Sequence, residues 1–222
     1  IEGMVQNKYY ETPIGKGRYL KKGKDILIIS TPVDTNRYST LLGDGKKFGI
    51  NLSYEIQEEP RGLADAFIVA EKFIGNNHSA MILGDNLFYG NDLSSILQKI
   101  NQKEKKATIF CNEVKNPERY GVLNLDNLGN PKSIVEKPEN PETNLAVTGL
   151  YFYDERAVDV AKSLSPSKRG ELEISSLNQL YLEKKSLDVE VLGRGFAWLD
   201  TGTHENLIQA SRFVHTLSLI HI

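Results

Sequence analysis

From Asp25 onward the chain alternates short apolar runs with helical stripes. Ile26-Leu27-Ile28-Ile29 is a continuous apolar run of the kind a strand buried on both faces requires. Asp34 or Thr35 can cap a helix reaching Leu42, and Leu52 to Ile56 alternates as a strand does. Leu63, Ala66, Phe67, Ala70 and Phe73 fall on one stripe, which predicts a helix over residues 62–74. A second apolar run, Ser79 to Leu83, stops at Gly84-Asp85-Asn86. Asp92 is placed to cap a helix carrying Leu93, Ile96, Leu97 and Ile100, and Thr108 to Phe110 is strand-like. This strand–helix–strand–helix order predicts an α/β fold: a mostly parallel central sheet with helices on both faces.

After Val114 the pattern changes. Tyr120 to Leu125 and Ser133 to Val135 flank a turn signal at residues 126–130, which predicts a hairpin. Ala146 to Tyr153 reads as a long strand, residues 155–164 and 173–184 as helices, Val189 to Leu192 and Phe196 to Leu199 as short strands, and residues 203–213 as a last helix. Residues 1–24 have no clear period and receive no element. Three segments result: 1–24, an α/β domain over 25–216, and a short tail over 217–222.

Composition changes this picture little. Of the 222 residues, 40% are apolar and 25% charged, an ordinary globular mix. Lys+Arg number 27 against Asp+Glu 29, for a net charge of −2, so nothing marks a surface for nucleic acid or an anionic membrane. A single cysteine, Cys111, excludes an intrachain disulfide. No apolar run approaches the roughly 20 residues of a membrane helix, and the first residues lack an apolar signal core. These readings predict a cytoplasmic protein.

Four segments can carry chemistry. Asp85 falls just past the end of a buried strand, where open α/β sheets bind ligands, and Asp200 ends another short strand. Each also has an ordinary reading: Gly-Asp-Asn is a common turn, and Asp200 can serve the dipole of the helix after it, with Thr201 or Thr203 as cap. Two acids at strand ends are what a shared divalent cation requires. Glu136-Lys137 could take sugar hydroxyls and a phosphate, or be an exposed ion pair. The Gln57 amide could pair with a nucleobase edge, with Gly62 opening the next helix, or the segment could be a plain loop. The four histidines have no metal-ligand spacing, Cys111 reads as packing, and Gly15-Lys16-Gly17-Arg18 reads as a flexible basic stretch rather than a phosphate loop.

Read in order, the blocks Gln57 to Leu63, Leu83-Gly84-Asp85-Asn86 with Phe88-Tyr89-Gly90, Pro117 to Val122, Glu136-Lys137-Pro138, Ala146 to Tyr151, Arg169 to Ile174 and Trp198 to His204 resemble the glucose-1-phosphate thymidylyltransferases of the nucleotidyltransferase superfamily. The resemblance covers about residues 25–213. It implies a Rossmann-like nucleotidyltransferase fold with a small β-rich sugar-binding lobe. It implies that a sugar 1-phosphate attacks the α-phosphorus of dTTP to give dTDP-glucose and pyrophosphate, in a pathway of the dTDP-rhamnose type. Asp85 and Asp200 would bind Mg²⁺, and Lys137 would join them in catalysis at the sugar phosphate. Gln57 and Gly62 would hold the thymine; Gly121, Glu136 and Val147 the sugar. Tyr120, Trp198, Arg169 and Glu171 would complete the substrate contacts. The partners implied are dTTP, glucose 1-phosphate and further copies of the chain in a homo-oligomer, a tetramer in the family.

The ends depart from the pattern. Nothing in residues 1–24 matches the family's Gly-x-Gly-x-Arg loop, and residues 217–222 do not match its C-terminal helical region. Two expectations follow: little or no turnover by the 222-residue chain, and an unpaired sheet edge with exposed core surface. The alternatives are a non-catalytic sugar-nucleotide-binding module and a UTP-using sugar-1-phosphate uridylyltransferase.

Overall fold

The computed structural model describes residues 25–90, 93–100 and 106–220, with Ile220 by its backbone alone. The Gly15–Arg18 stretch, Asp92 and the final two residues lie outside this set.

The first apolar run forms β1 (Asp25–Ser30), and Pro32 opens α1 (Pro32–Leu42). The cap is Thr31, whose hydroxyl accepts the Asp34 N–H at 3.2 Å; Asp34 lies in the first turn and Thr35 is buried, so neither is the cap the sequence suggested. β2 (Asn51–Ile56) pairs in parallel with β1. The stripe over 62–74 becomes two short helices, α2 (Asp65–Val69) and α3 (Glu71–Ile74), separated at Ala70. β3 (Ser79–Ile82) follows, then a strand the sequence reading lacked, β4 (Asn86–Gly90). Next come α4 (Leu93–Ile100), β5 (Ala107–Glu113), the hairpin β6 (Gly121–Leu125) and β7 (Pro131–Glu136), and the long β8 (Leu145–Tyr153). The hairpin turn is held by Asp126, whose Oδ1 accepts the N–H groups of Leu128 and Asn130 at 2.8 Å each. The chain closes with α5 (Ala157–Lys162), α6 (Ile174–Glu183), β9 (Leu187–Val191), β10 (Phe196–Asp200) and α7 (His204–Ile220). α7 runs past Phe213, where its expected end lay, and into the segment read as a tail.

The sheet corrects one expectation. It is mixed, not mostly parallel: only β1–β2 and β5–β9 pair in parallel, and the other five pairings among the described residues are antiparallel. The reason is β8. β3 and β5 run the same way, as a helical crossover demands, but β8 lies between them and antiparallel to both. One edge of β8 pairs with β5 along its length. The other is divided, with β3 on its C-terminal end (Leu150 to Tyr153) and β6 at Ala146. Val147, Thr148 and Gly149 lie at the fork between β3 and β6.

Helices cover both faces, as expected. Ile109 and Cys111 of β5 enter the larger core with residues of α2, α5 and α6, while Phe110 between them faces a smaller core with Ile100 of α4. Leu27 and Ile29 of β1 pack on the larger core beside Met81 and Leu83, although β1 and β2 form a separate two-stranded sheet. β3 has a partner on one side only among the described residues, and Ile82 is 59% exposed.

The larger core is built around three tyrosines. Tyr153 meets Phe67 edge-on at 5.0 Å, stacks on Tyr151 and touches Tyr181. Its hydroxyl donates to Asn178, and the Tyr181 hydroxyl donates to Asp154 at 2.8 Å. Asp154 is fully buried and takes Arg156 through both Nε and Nη2. Burial alone would raise the Asp154 carboxyl, but the hydrogen bonds from Arg156 and Tyr181 outweigh it and hold the group below its ordinary range.

Candidate active site

Three strand ends meet at the fork in β8. β3 ends at Ile82 and its chain turns through Leu83-Gly84-Asp85; the Leu83 N–H donates to the Gly149 carbonyl at 2.9 Å. β4 then leaves antiparallel to β10, with Asn86 opposite Asp200 and Phe88 opposite Trp198. This unforeseen strand pair joins the two acids. Both carboxylates come close to Gly202: a Cβ placed on it would stand 3.1 Å from Asp85 Oδ2 and 3.1 Å from Asp200 Oδ1. Neither acid is in an ion pair among the described residues.

Asn86 organises the surroundings and was missed as a functional position. It is buried, and its Oδ1 accepts the Gly149 N–H at 3.0 Å and the Trp198 Nε1–H at 2.6 Å. Its Nδ2 donates to Asp85 Oδ1 at 2.8 Å. Gly149 is required here, because a Cβ on it would come within 2.7 Å of Asn86 Cγ. Asn86→Leu would leave a buried donor, the Gly149 N–H, and a half-buried one, the Trp198 indole N–H, without acceptors. At about 1–3 kcal/mol for each, we expect it to cost about 2–6 kcal/mol of stability, read as a lower urea midpoint at unchanged slope.

A cavity of about 200 Å³ opens at this point. It gathers eight of the twelve residues singled out from the sequence: Asp85, Asp200, Lys137, Tyr120, Gly121, Glu136, Val147 and Trp198. Tyr120 meets Trp198 edge-on at 5.1 Å. Burial, then the Asp200 carboxylate facing its hydroxyl, raises the Tyr120 phenol above its usual range. Lys137 adopts φ +43°, a left-handed conformation uncommon outside glycine, and its N–H donates to the Tyr120 carbonyl at 3.0 Å. Glu136 accepts from the Ser175 hydroxyl. A larger groove of about 340 Å³ lies beyond Glu136 and Ser175, lined mainly by serines, Gln179 and aliphatic residues. Glu136 is its one charged residue, so the convergent chemistry sits in the smaller cavity.

The other four candidates do not line the cavity. Gln57 donates through Nε2 to the Gly62 carbonyl at 3.1 Å and to Asp65 at 2.8 Å, so its donor is used internally and its Oε1 remains for a ligand. Gly62 has φ +102°, and a Cβ there would lie 2.7 Å from the Leu172 nitrogen; no other residue fits this approach. It precedes α2 by a short loop rather than opening it, with Leu63 on the cavity wall. Arg169 lies 2.9 Å from Glu171, 3.5 Å from Glu173 and 3.8 Å from Glu136. Arg169 and Glu171 therefore reach the cavity only by way of Glu136.

Two carboxylates that line one cavity and both approach Gly202 could hold a small hard cation. Among the described residues no three His, Cys, Asp or Glu side chains come together in a way that could hold a metal ion, so phosphate oxygens and water would have to fill the remaining positions.

The nucleotidyl transferase family model matches residues 16–216. The chain belongs to the nucleotidyl transferase family. Among curated relatives, a glucose-1-phosphate thymidylyltransferase from Neisseria meningitidis serogroup A is 54% identical over 197 residues, 89% of this chain and 68% of the relative. One from Xanthomonas campestris is 48% identical over 196 residues, covering 88% and 66%. The chain thus spans about two thirds of these relatives' length. A solved structure from Bacillus anthracis, described as a glucose-1-phosphate thymidylyltransferase in complex with sucrose, superposes with a TM-score of 0.78 at 35% identity, covering 86% of this chain and 76% of that one. A UDP-glucose pyrophosphorylase complexed with UDP-glucose shares the fold at a TM-score of 0.72 and 23% identity. This nucleotidyl transferase has no described helix long and apolar enough to cross a membrane.

Proposed function

We propose that this chain carries the site for transferring a deoxythymidylyl group from dTTP to glucose 1-phosphate, giving dTDP-glucose and pyrophosphate, in cytoplasmic nucleotide-sugar biosynthesis of the dTDP-rhamnose type. The observation that carries the reading is the convergence of Asp85 and Asp200 on the space that Gly202 leaves open. The relatives at 48–54% identity support dTTP and glucose 1-phosphate as the substrates. A homo-oligomer is proposed with them.

In this reaction a phosphate oxygen of glucose 1-phosphate forms a bond to the α-phosphorus of dTTP. The bond from that phosphorus to the bridging oxygen breaks, and pyrophosphate leaves with the electron pair. The attacking oxygen is already anionic, so the work is alignment and charge neutralisation, not proton removal. Asp85 and Asp200 would hold Mg²⁺, which supplies positive charge to the phosphates when bound. Lys137, fixed by its bond to Tyr120, brings an ammonium group to the sugar phosphate. Glu136, anchored by Ser175, accepts from the sugar hydroxyls. Gly121 has room only for hydrogen, since a Cβ would press on the Ser175 hydroxyl at 2.6 Å, and Val147 forms the cavity floor. Gln57 offers Oε1 to the thymine imide N–H, with Gly62 holding the loop, while Tyr120 and Trp198 wall the cavity. Arg169, with Glu171, stands behind Glu136 and would act on the sugar phosphate only after leaving its glutamate partners.

Calorimetry with dTTP, UTP and glucose 1-phosphate, each with and without Mg²⁺, tests the proposal using only residues this chain has. We expect glucose 1-phosphate to bind, dTTP to bind more tightly than UTP, and Mg²⁺ to strengthen the nucleotide. Tighter binding of UTP would move the reading to a uridylyltransferase, and no binding of glucose 1-phosphate would end it.

A further inference from the structure

Asn86 Nδ2 holds Asp85 by one carboxylate oxygen, at 2.8 Å, and the Asp85 backbone needs a restraint of its own. Gly84 before it has open space where a side chain would be, and the Asp85 side chain is exposed. Asp85 nevertheless has to hold a set distance from Asp200, which lies on a different strand. The backbone bond that ends the β4–β10 ladder runs from the Thr201 N–H to the Asp85 carbonyl at 2.8 Å. The Thr201 hydroxyl donates to the same carbonyl oxygen, also at 2.8 Å. Both lone pairs of that oxygen are thereby used by one residue, which fixes the direction of the Asp85 peptide group and not merely its distance.

Thr201 also reads from sequence as a cap for α7, but Thr203 takes that role. The Thr203 hydroxyl accepts the Asn206 N–H at 3.2 Å, and its carbonyl accepts the Leu207 N–H at 2.9 Å. The Thr201 hydroxyl is therefore directed away from α7, across to the loop bearing Asp85. The next residue, Gly202, donates its N–H to Asp200 Oδ1 at 3.0 Å. The turn of residues 200–202 thus holds both acids at once: one through the carbonyl of its backbone, the other through its carboxylate.

We propose that Thr201 is a positioning residue for the cation site, setting the separation of the Asp85 and Asp200 carboxylates by its paired bonds to the Asp85 carbonyl. The proposal rests on the cation reading above. It makes the Thr201 hydroxyl a contributor to cation affinity that touches neither cation nor substrate. Outer groups that orient ligands change metal affinity by about 10–100-fold, which sets the scale.

The probe is Mn²⁺ alone, titrated into the full chain and followed by paramagnetic resonance of the free ion. We expect Thr201→Val to weaken Mn²⁺ binding about tenfold, at the lower end of the range for such groups, while Thr201→Ser stays within about twofold of the unaltered chain. Metal-free dTTP affinity should not change in either variant. Thr201→Ala removes the hydroxyl without adding bulk and carries the same expectation if valine impairs folding. Mn²⁺ affinity unchanged in the valine or alanine variant overturns the proposal, as does a serine variant as weak as alanine. Asp200→Asn separates the two levels of the argument. If it binds Mn²⁺ as tightly as the unaltered chain, the cation reading itself fails. The clamp then stands or falls on a crystal structure of Thr201→Ala: an Asp85 peptide that has rotated supports it, and one in its original place overturns it.

Discussion

Asparagine at position 200 or position 85 should abolish the gain in dTTP affinity that Mg²⁺ gives the unaltered chain, and alanine at Gly202 should do nearly as much. One oxygen of each acid lies near Gly202, and among the described residues no third side chain joins them in a group of metal-ligand type. Removing one charge leaves a single carboxylate to compete with water for a strongly hydrated cation. A loss of at least about a hundredfold in Mg²⁺-dependent affinity is expected, beyond what outer groups cost. For Gly202→Ala the obstacle is steric. Mg²⁺ sits about 2.0–2.1 Å from its oxygen ligands, and a methyl group 3.1 Å from both carboxylates would crowd the oxygens that have to close on the cation. The Gly202 backbone is not left-handed, so alanine brings no backbone strain and should leave the melting temperature within a few degrees. Calorimetry with and without Mg²⁺, beside a thermal melt, checks all three variants. A Gly202→Ala chain that keeps its Mg²⁺ response would show that the carboxylates do not share a cation.

Alkaline pH should unfold this protein early and in two stages. Burial pushes the Cys111 thiol up to about 12, and burial together with neighbouring groups raises Tyr151, Tyr153 and Tyr181 well above the ordinary phenol. Each group keeps its proton in the folded state at a pH where the unfolded chain has released it. The stability tied to each is therefore complete below the unfolded pKa and drains away as pH rises toward the folded one. For Cys111 the loss starts near pH 8.5, at about 1.4 kcal/mol per pH unit. Above about pH 10 the three tyrosines together add about 4 kcal/mol per pH unit, comparable with the whole stability of many domains. Urea unfolding across a pH series, with phenolate absorbance as a second signal, measures the slope. Cys111→Ala should move the onset from about pH 8.5 to about pH 10 and leave the steeper stage unchanged. A slope that does not steepen above pH 10 would mean that the tyrosine cluster opens before the fold does.

Much of this site could be read from the sequence because its parts lie in short blocks that also end strands. Asp85 and Asp200 were both placed at strand ends, and Glu136-Lys137 at the end of β7, since apolar runs stop where the chain leaves the core. Asn86 was hidden because a turn-favouring asparagine beside Gly84-Asp85 looks like part of the turn. Only the arrival of Gly149 and Trp198, far away in sequence, gives its amide a second meaning. β4 was hidden for a related reason: Asn86-Leu-Phe-Tyr-Gly is short, and the strand it needs, β10, comes late in the chain. The parallel sheet was misjudged because βαβ order fixes the relative direction of β3 and β5 without forbidding a later strand between them. Thr201 was legible as a polar cap but not as a clamp, since nothing local distinguishes a hydroxyl that points along its own helix from one that reaches across to another strand.

The divided edge of β8 also sets an order in time. β3 and β5 leave the ribosome before the strand that joins them, and Asp85 waits for a partner segment 116 residues later. At about 5–20 residues per second, that wait is on the order of ten seconds. Throughout it, the acid-bearing loop has no Thr201 to hold it and β4 has no β10 to cover it. The two acids therefore come together only once the segment bearing Thr201 has been made, and chaperones that shield exposed strands would meet the chain in that interval.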